Sequence, residues 1–196
     1  ILSYRELDER AREAAKALAA FGIGPGARVG LLMGNEPDWV VVALAAASLG
    51  AALAPLNTWY KRGELAWTLR HCEISLLIAA RRFLKTDYGA MLASAIPEMD
   101  VHPPGKLHSP HFPALRAVVM TGEAVRGAIS WRDFLKAGEG CARPHPDAVD
   151  ADANAFIGAC AEASVIAKAR ISAAMRVYML VPPKNFGAHA NAREHG

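Results

Sequence analysis

Three short apolar runs, residues 28–33, 51–56 and 74–79, are each continuous rather than alternating, and a helix-length segment separates each from the next. A strand that is apolar on both of its faces is covered on both, which is the habit of parallel sheets. Parallel strands need crossover segments long enough to return the chain, and right-handed helical crossovers are the usual solution. A fourth run, Leu115 to Met120, follows further on. The pattern predicts an α/β fold, a partial parallel-sheet layered domain.

The helices are legible from their ends. Ser3 with Glu6 three residues later forms a capping box, and Leu7, Ala11, Ala14, Leu18 and Phe21 then recur at helical spacing. Gly22, Gly24 and Gly26 with Pro25 stop that helix. Asn35 or Glu36 caps a second helix over 38–49, with Pro37 tolerated in its first turn. A third is expected over 62–72, with Leu65 and Leu69 on one side, and a fourth over 84–95. Residues 99–113 hold four prolines and three histidines and read as an exposed loop. Residues 129–137 read as a short strand or turn leading into a helix, and 138–152 as loop.

Composition narrows the function classes. The 196 residues are 53% hydrophobic and 21% charged, as in globular rather than disordered chains. Five Lys or Arg and two Glu lie in residues 158–196, which accounts for the whole formal net charge of +3 and leaves 1–157 neutral. A neutral body with a small basic tail is a poor nucleic-acid surface. Cys72, Cys141 and Cys160 are far apart and odd in number, which fits a reducing, cytoplasmic setting. The chain starts at Ile1 rather than Met, so a natural N-terminus is expected to be missing, and its charged first turns do not look like a targeting segment. Val40 to Leu56 is uncharged for 17 residues, but Gly50 and Pro55 interrupt it. It reads as a buried helix followed by a buried strand, not a membrane span.

Individual motifs carry little chemistry. Gly22, Gly24 and Gly26 leave a helix and enter a strand, whereas a dinucleotide loop leaves a strand and opens a helix. Asp150, Asp152 and Asn154 start like a calcium loop, but Ala155 stands where Gly and Ala161 where Glu is required. His102, His108 and His111 have metal-like spacing without a neighbouring carboxylate or thiolate, and read as a solvated loop. No nucleophile elbow is present, Asp87, Glu123 and Asp133 stand as lone carboxylates, and Trp39, Trp59, Trp67 and Trp131 are expected in core or subdomain packing. The residues themselves assign no catalytic, cofactor-binding or metal site.

In order and spacing, residues 3–157 resemble the N-terminal part of the AMP-forming acyl-CoA synthetases of the adenylate-forming superfamily. The resemblance rests on five stretches: Ser3 to Asp8; the turn from Gly22 to Val29; Gly34 to Trp39; Ala54 to Asn57; and Glu64 to Leu69. Medium- or long-chain fatty acyl and alicyclic or aromatic carboxylate ligases look most similar. The resemblance implies acid–CoA ligase chemistry. A carboxylate attacks ATP, pyrophosphate leaves, and coenzyme A thiol converts the acyl-adenylate to a thioester with release of AMP. ATP, Mg2+ and coenzyme A are the implied cofactors of the full-length family, and a carboxylic acid the implied substrate. Bringing two anions together needs cations and backbone N–H donors at the α-phosphate.

That family carries a Ser/Thr/Gly-rich phosphate loop ending in Pro-Lys-Gly, expected soon after Ala155-Phe156-Ile157. Here Gly158 to Ser164 offers one Gly and one Ser, and the next lysine, Lys168, is flanked by neither Pro nor Gly. Thr121-Gly122-Glu123 resembles the ribose-binding motif, yet comes too early and has Glu for Asp, so no role is carried onto it. The last 39 residues hold 10 Ala and two acids with no clear caps or period. Two segments are therefore expected: a partial synthetase domain over 1–157, and an off-family tail over 158–196, left by a frameshift or gene truncation. Such a chain is expected to be inactive alone and to self-associate through exposed apolar surface. The alternatives are a non-catalytic α/β binding module and a fragment of another adenylating enzyme.

Overall fold

The computed structural model describes residues 2–141. The stretch at 150–154 rejected as a calcium loop, the segment 158–164 where a phosphate loop is missing, Lys168 and the tail lie outside them. Helix α1 (Tyr4–Ala20) starts at the expected capping box: the Glu6 amide donates to Ser3 Oγ, and the Ser3 amide to Glu6 Oε2 at 2.7 Å. Helix α1 buries Ala11, Ala14, Ala15, Ala17 and Leu18. Its end is a left-handed turn at Gly22 (φ 73°), where the Gly22 amide reaches Ala19 O and the Ile23 amide reaches Leu18 O at 3.0 Å. Strand β1 (Arg28–Leu32) follows, then α2 (Pro37–Ser48), β2 (Ala52–Pro55), α3 (Arg62–His71) and β3 (Leu76–Ala80).

All neighbouring strands of the main sheet run parallel, in the order β2-β1-β3-β6-β7, where β6 is Ala117–Thr121 and β7 is Ile129–Ser130. Helix α1 packs on α2 and on the last described helix, α5 (Trp131–Ala137). Helix α3 packs against α4 (Tyr88–Ala95). Right-handed crossovers put these two sets on opposite faces of the sheet. Residues Leu76 to Ala80 are therefore all buried, which is why the run is continuously apolar.

Two segments depart from the expectation. The helix expected from residue 84 begins at Tyr88, because the chain first turns back on itself as a separate antiparallel hairpin, β4 (Arg82–Phe83) and β5 (Thr86–Asp87). The helix start follows from Asp87, whose Oδ1 accepts from the Ala90 amide at 2.8 Å. The proline-rich segment 99–113 is not simply exposed. A 3-10 turn at Pro97–Asp100 leads into it, and Met99, Ser109 and Phe112 are buried. Ser109 Oγ donates to Glu98 Oε1 at 2.9 Å and accepts from the His111 and Phe112 amides, so one buried hydroxyl ties the loop together.

The tryptophans also divide. Trp39 and Trp131 pack against the core as expected, but Trp59 is 75% exposed, and Trp67 is 50% exposed and stacked on His71 at 4.4 Å. At the sheet edge, the Ala52 and Leu56 amides bond β1, at Ala27 O and Leu31 O. Alternation then turns Leu53 and Pro55 outward, and proline has no N–H to offer a further strand. The edge is blunter than an incomplete sheet implies.

Candidate functional site

Open parallel sheets bind ligands beyond the carboxyl ends of their strands, where the strand order reverses. In this sheet the reversal lies between β1 and β3. The loop after β1 carries Gly34, Asn35 and Glu36, and the segment after β3 carries Arg81 and the hairpin. A side chain on Gly34 would overlap the Phe83 ring, so the ring lies directly on the glycine main chain. An aromatic side chain of the protein thus covers the Gly34 main chain at this end of the sheet.

Beside it stands a braced ion-pair cluster. Arg81 and Arg82 both pair with Asp87, the second at 3.1 Å. The Arg81 amide donates to Thr121 O at 3.1 Å, and its carbonyl accepts from the Gly89 amide at 3.3 Å. The Arg81 guanidinium occupies the space a side chain on Gly89 would need. Asp87 is therefore not a lone carboxylate. Nor is Asp133, whose Oδ2 accepts from Ser130 Oγ at 2.6 Å at the start of α5. Tyr88 is buried and its hydroxyl donates to Thr58 O at 2.8 Å, which ties the loop after β2 to the start of α4.

The other candidates are not brought together with this end. The turn at Gly22, Gly24 and Gly26 enters β1 from its amino end, where its glycines end a helix and turn the chain. The rings of His102 and His108 meet edge-on at 6.4 Å. Among the described residues no group of three or more His, Cys, Asp or Glu is placed to hold a metal ion. Thr121-Gly122-Glu123 does sit at the carboxyl end, with Gly122 at φ 96°, and its contact with this site is the Thr121 carbonyl on Arg81. Sequence reasoning missed the Arg81–Asp87 pair; the signal was the cap-like Thr86-Asp87 before Tyr88, hidden inside an apolar period.

Two buried groups, Cys72 near the amino ends of the strands and Tyr88 at the start of α4, give the fold an alkaline limit. Burial pushes the Cys72 thiol up from its ordinary 9.0, against a smaller pull from Arg28, and burial also raises the Tyr88 hydroxyl above its ordinary 10.0. The folded state then holds both protons more tightly than the unfolded chain. The stabilisation is complete below pH 9 and is lost as pH rises through the raised values. Urea midpoints are expected to fall as pH rises above about 9, and the double variant Cys72→Ala with Tyr88→Phe should show a smaller fall. A pH-independent midpoint would contradict this.

The sequence pattern of the family described as AMP-binding enzyme matches residues 1–157. The chain belongs to that family. Among curated relatives, YngI of Bacillus subtilis (strain 168), whose name assigns it to the acyl-CoA synthetases, is 33% identical over 132 residues, 67% of this chain and 24% of that protein. The mitochondrial medium-chain acyl-CoA ligase ACSF2 of Danio rerio is 29% identical over 136 residues, 69% of this chain and 22% of that one. The chain thus spans about a quarter of the length of the relatives it matches. In structure it is similar to the anthranilate CoA ligase AuaEII solved with anthranoyl-AMP, with TM-score 0.60 and 22% identity over 79% of this chain and 26% of that one. The N-terminal domain of FACL13 from Mycobacterium tuberculosis gives TM-score 0.55 and 23% identity, covering 80% of this chain and 34% of that one. The fold is that of the N-terminal domain of adenylate-forming enzymes.

The β1–α2 connection has one glycine, covered by Phe83, and among the described residues no group of three or more His, Cys, Asp or Glu is placed for a cation.

Proposed function

We propose that this chain carries the N-terminal layer of an acid–CoA ligase and does not activate a carboxylate by itself. The observation that carries this reading is a boundary. The family match runs to residue 157, and the next residues, Gly158 to Ser164, lack the Ser/Thr/Gly-rich run that would cradle a triphosphate. On this reading 1–157 is a partial synthetase domain and 158–196 a tail foreign to the family. The parent enzyme joins a carboxylate, as in fatty acid metabolism, to coenzyme A at the expense of ATP in the cytoplasm. Exposed Trp59, Trp67, Leu84 and Val101 support self-association of the isolated chain.

The physical basis is electrostatic. Charge on the transferring phosphoryl group is stabilised by converging N–H donors and cations held in advance of the reaction. Arg81 is committed to Asp87, and the Phe83 ring covers the Gly34 main chain after β1. Titration of the purified 196-residue chain with Mg2+-ATP is expected to give no saturable heat, and no pyrophosphate should appear with octanoate or benzoate and coenzyme A. Saturable binding, or adenylate formation by a preparation free of other ligases, would overturn the proposal.

A further inference from the structure

Two loops at the carboxyl end of the sheet present bulky apolar side chains to solvent, and each is held from behind. The loop after β2 turns at Asn57, whose Oδ1 accepts from the Trp59 amide at 2.9 Å and whose carbonyl accepts from the Tyr60 amide at 3.1 Å. Trp59 stands at the crown of this turn, 75% exposed. The loop after β3 is the hairpin, with Leu84 77% exposed at its tip. Its neighbour Phe83 is half-buried on Gly34, and Asp87 at its far root caps α4. Strands β2 and β3 run parallel in one sheet, so both loops leave the same end of the molecule. The bond from the buried Tyr88 hydroxyl to Thr58 O joins their bases.

Basic groups accompany both tips. Lys61 and Arg62 follow Trp59, Arg82 and Lys85 flank Leu84, and all four are exposed. Residues 57–64 and 81–87 together carry five Lys or Arg and two acids, on a body whose formal charge over 1–157 is zero. Both acids are engaged within the loops: Glu64 Oε2 accepts from the Lys61 amide at 2.7 Å, and Asp87 pairs with Arg81 and Arg82. Two narrow apolar tips make a poor protein interface, which buries about 800 Å² on each partner. They suit a bilayer surface, where a Trp lodges among the headgroups, a leucine reaches the acyl boundary, and Lys and Arg stay at the phosphates. Anionic lipid complements the local positive charge. We propose that Trp59 and Leu84, with Lys61, Arg62, Arg82 and Lys85, form a docking surface for an anionic lipid bilayer. The inference goes beyond the ligase reading and rests on this surface alone.

Flotation of the full 196-residue chain with liposomes tests it. Binding is expected to phosphatidylcholine vesicles containing about 30% phosphatidylglycerol, and to be about tenfold weaker without the anionic lipid or in about 0.5 M NaCl. Trp59→Ala and Leu84→Ala should each weaken binding about tenfold. Lys61→Glu with Lys85→Glu should do so by about tenfold or more. Urea midpoints should stay at the wild-type value, because all four side chains are exposed. Trp59→Phe should keep most of the binding, while brominated lipid quenches its emission less than that of the wild type. Residues 158–196, which carry the chain's net positive charge, are unaltered in every variant. Binding carried by them alone would leave Trp59→Ala and Leu84→Ala at the wild-type level and overturn the proposal. So would failure to bind the anionic vesicles, including the case in which Trp59→Ala dissolves a lipid-free dimer and the patch proves to be an interface between two copies.

Discussion

Replacing Gly127 by alanine should remove about 3 kcal/mol or more of folding stability. Gly127 lies in the connection between β6 and β7 at φ 78°, a backbone that L side chains rarely adopt. The added methyl group would overlap the carbonyl of Met99, which is main chain and has no rotamer to escape into. Met99 is itself buried, in the 3-10 turn that follows α4, so relief requires moving either that turn or the β6–β7 connection away from the core. Chemical denaturation of the wild type and Gly127→Ala measures the difference. A loss below about 1 kcal/mol would mean that the turn yields easily and that this contact does not fix it.

Phe134→Ala is expected to cost about 3–5 kcal/mol, a large fraction of a domain's usual stability. Phe134 is fully buried in α5, its ring 5.7 Å from that of Phe21 and 5.2 Å from that of Trp131. It fastens the last described helix to the end of α1. Gly138, just beyond α5, comes so close to α1 that a side chain there would lie 2.5 Å from the Ala17 amide nitrogen. Backbones packed this closely cannot slide together to fill the space a phenyl ring leaves, so the cavity term adds to the lost transfer energy. The urea midpoint and slope separate the two outcomes. A lower midpoint with unchanged slope is expected, whereas a changed slope would indicate that α5 detaches alone.

Much of the fold was legible because each element carries its own local signals. The Ser3–Glu6 box starts α1, Gly22 and Gly50 end α1 and α2, and continuous apolar runs mark β1, β2 and β3. Each depends on residues within a few positions of one another. The hairpin was not legible, because Leu84 at its tip falls in step with Tyr88 and Leu92 of the helix that follows, and Phe83 beside it carries no signal of its own. Only Gly34, 49 positions earlier in sequence, explains where that ring goes. The partners of Asp87 and Asp133 are local, but whether they meet depends on a hairpin and a cap that spacing alone did not reveal.

The chemistry divides the same way. A run of residues suitable for a phosphate loop can be seen, or seen to be missing, in a one-dimensional chain, because such a loop is contiguous. What fills a crevice between two strands cannot. From its sequence alone this protein is an α/β chain with parallel strands and the stretches of an adenylating family. Local propensity and hydrophobic period act over one to three turns and suffice for that. The tertiary structure decided that Phe83 lies on Gly34, that Arg81 is bound to Asp87, and that Ser109 is buried beneath its loop. Those contacts join segments brought together by the crossovers and turns, and their energies come from packing and desolvation in three dimensions.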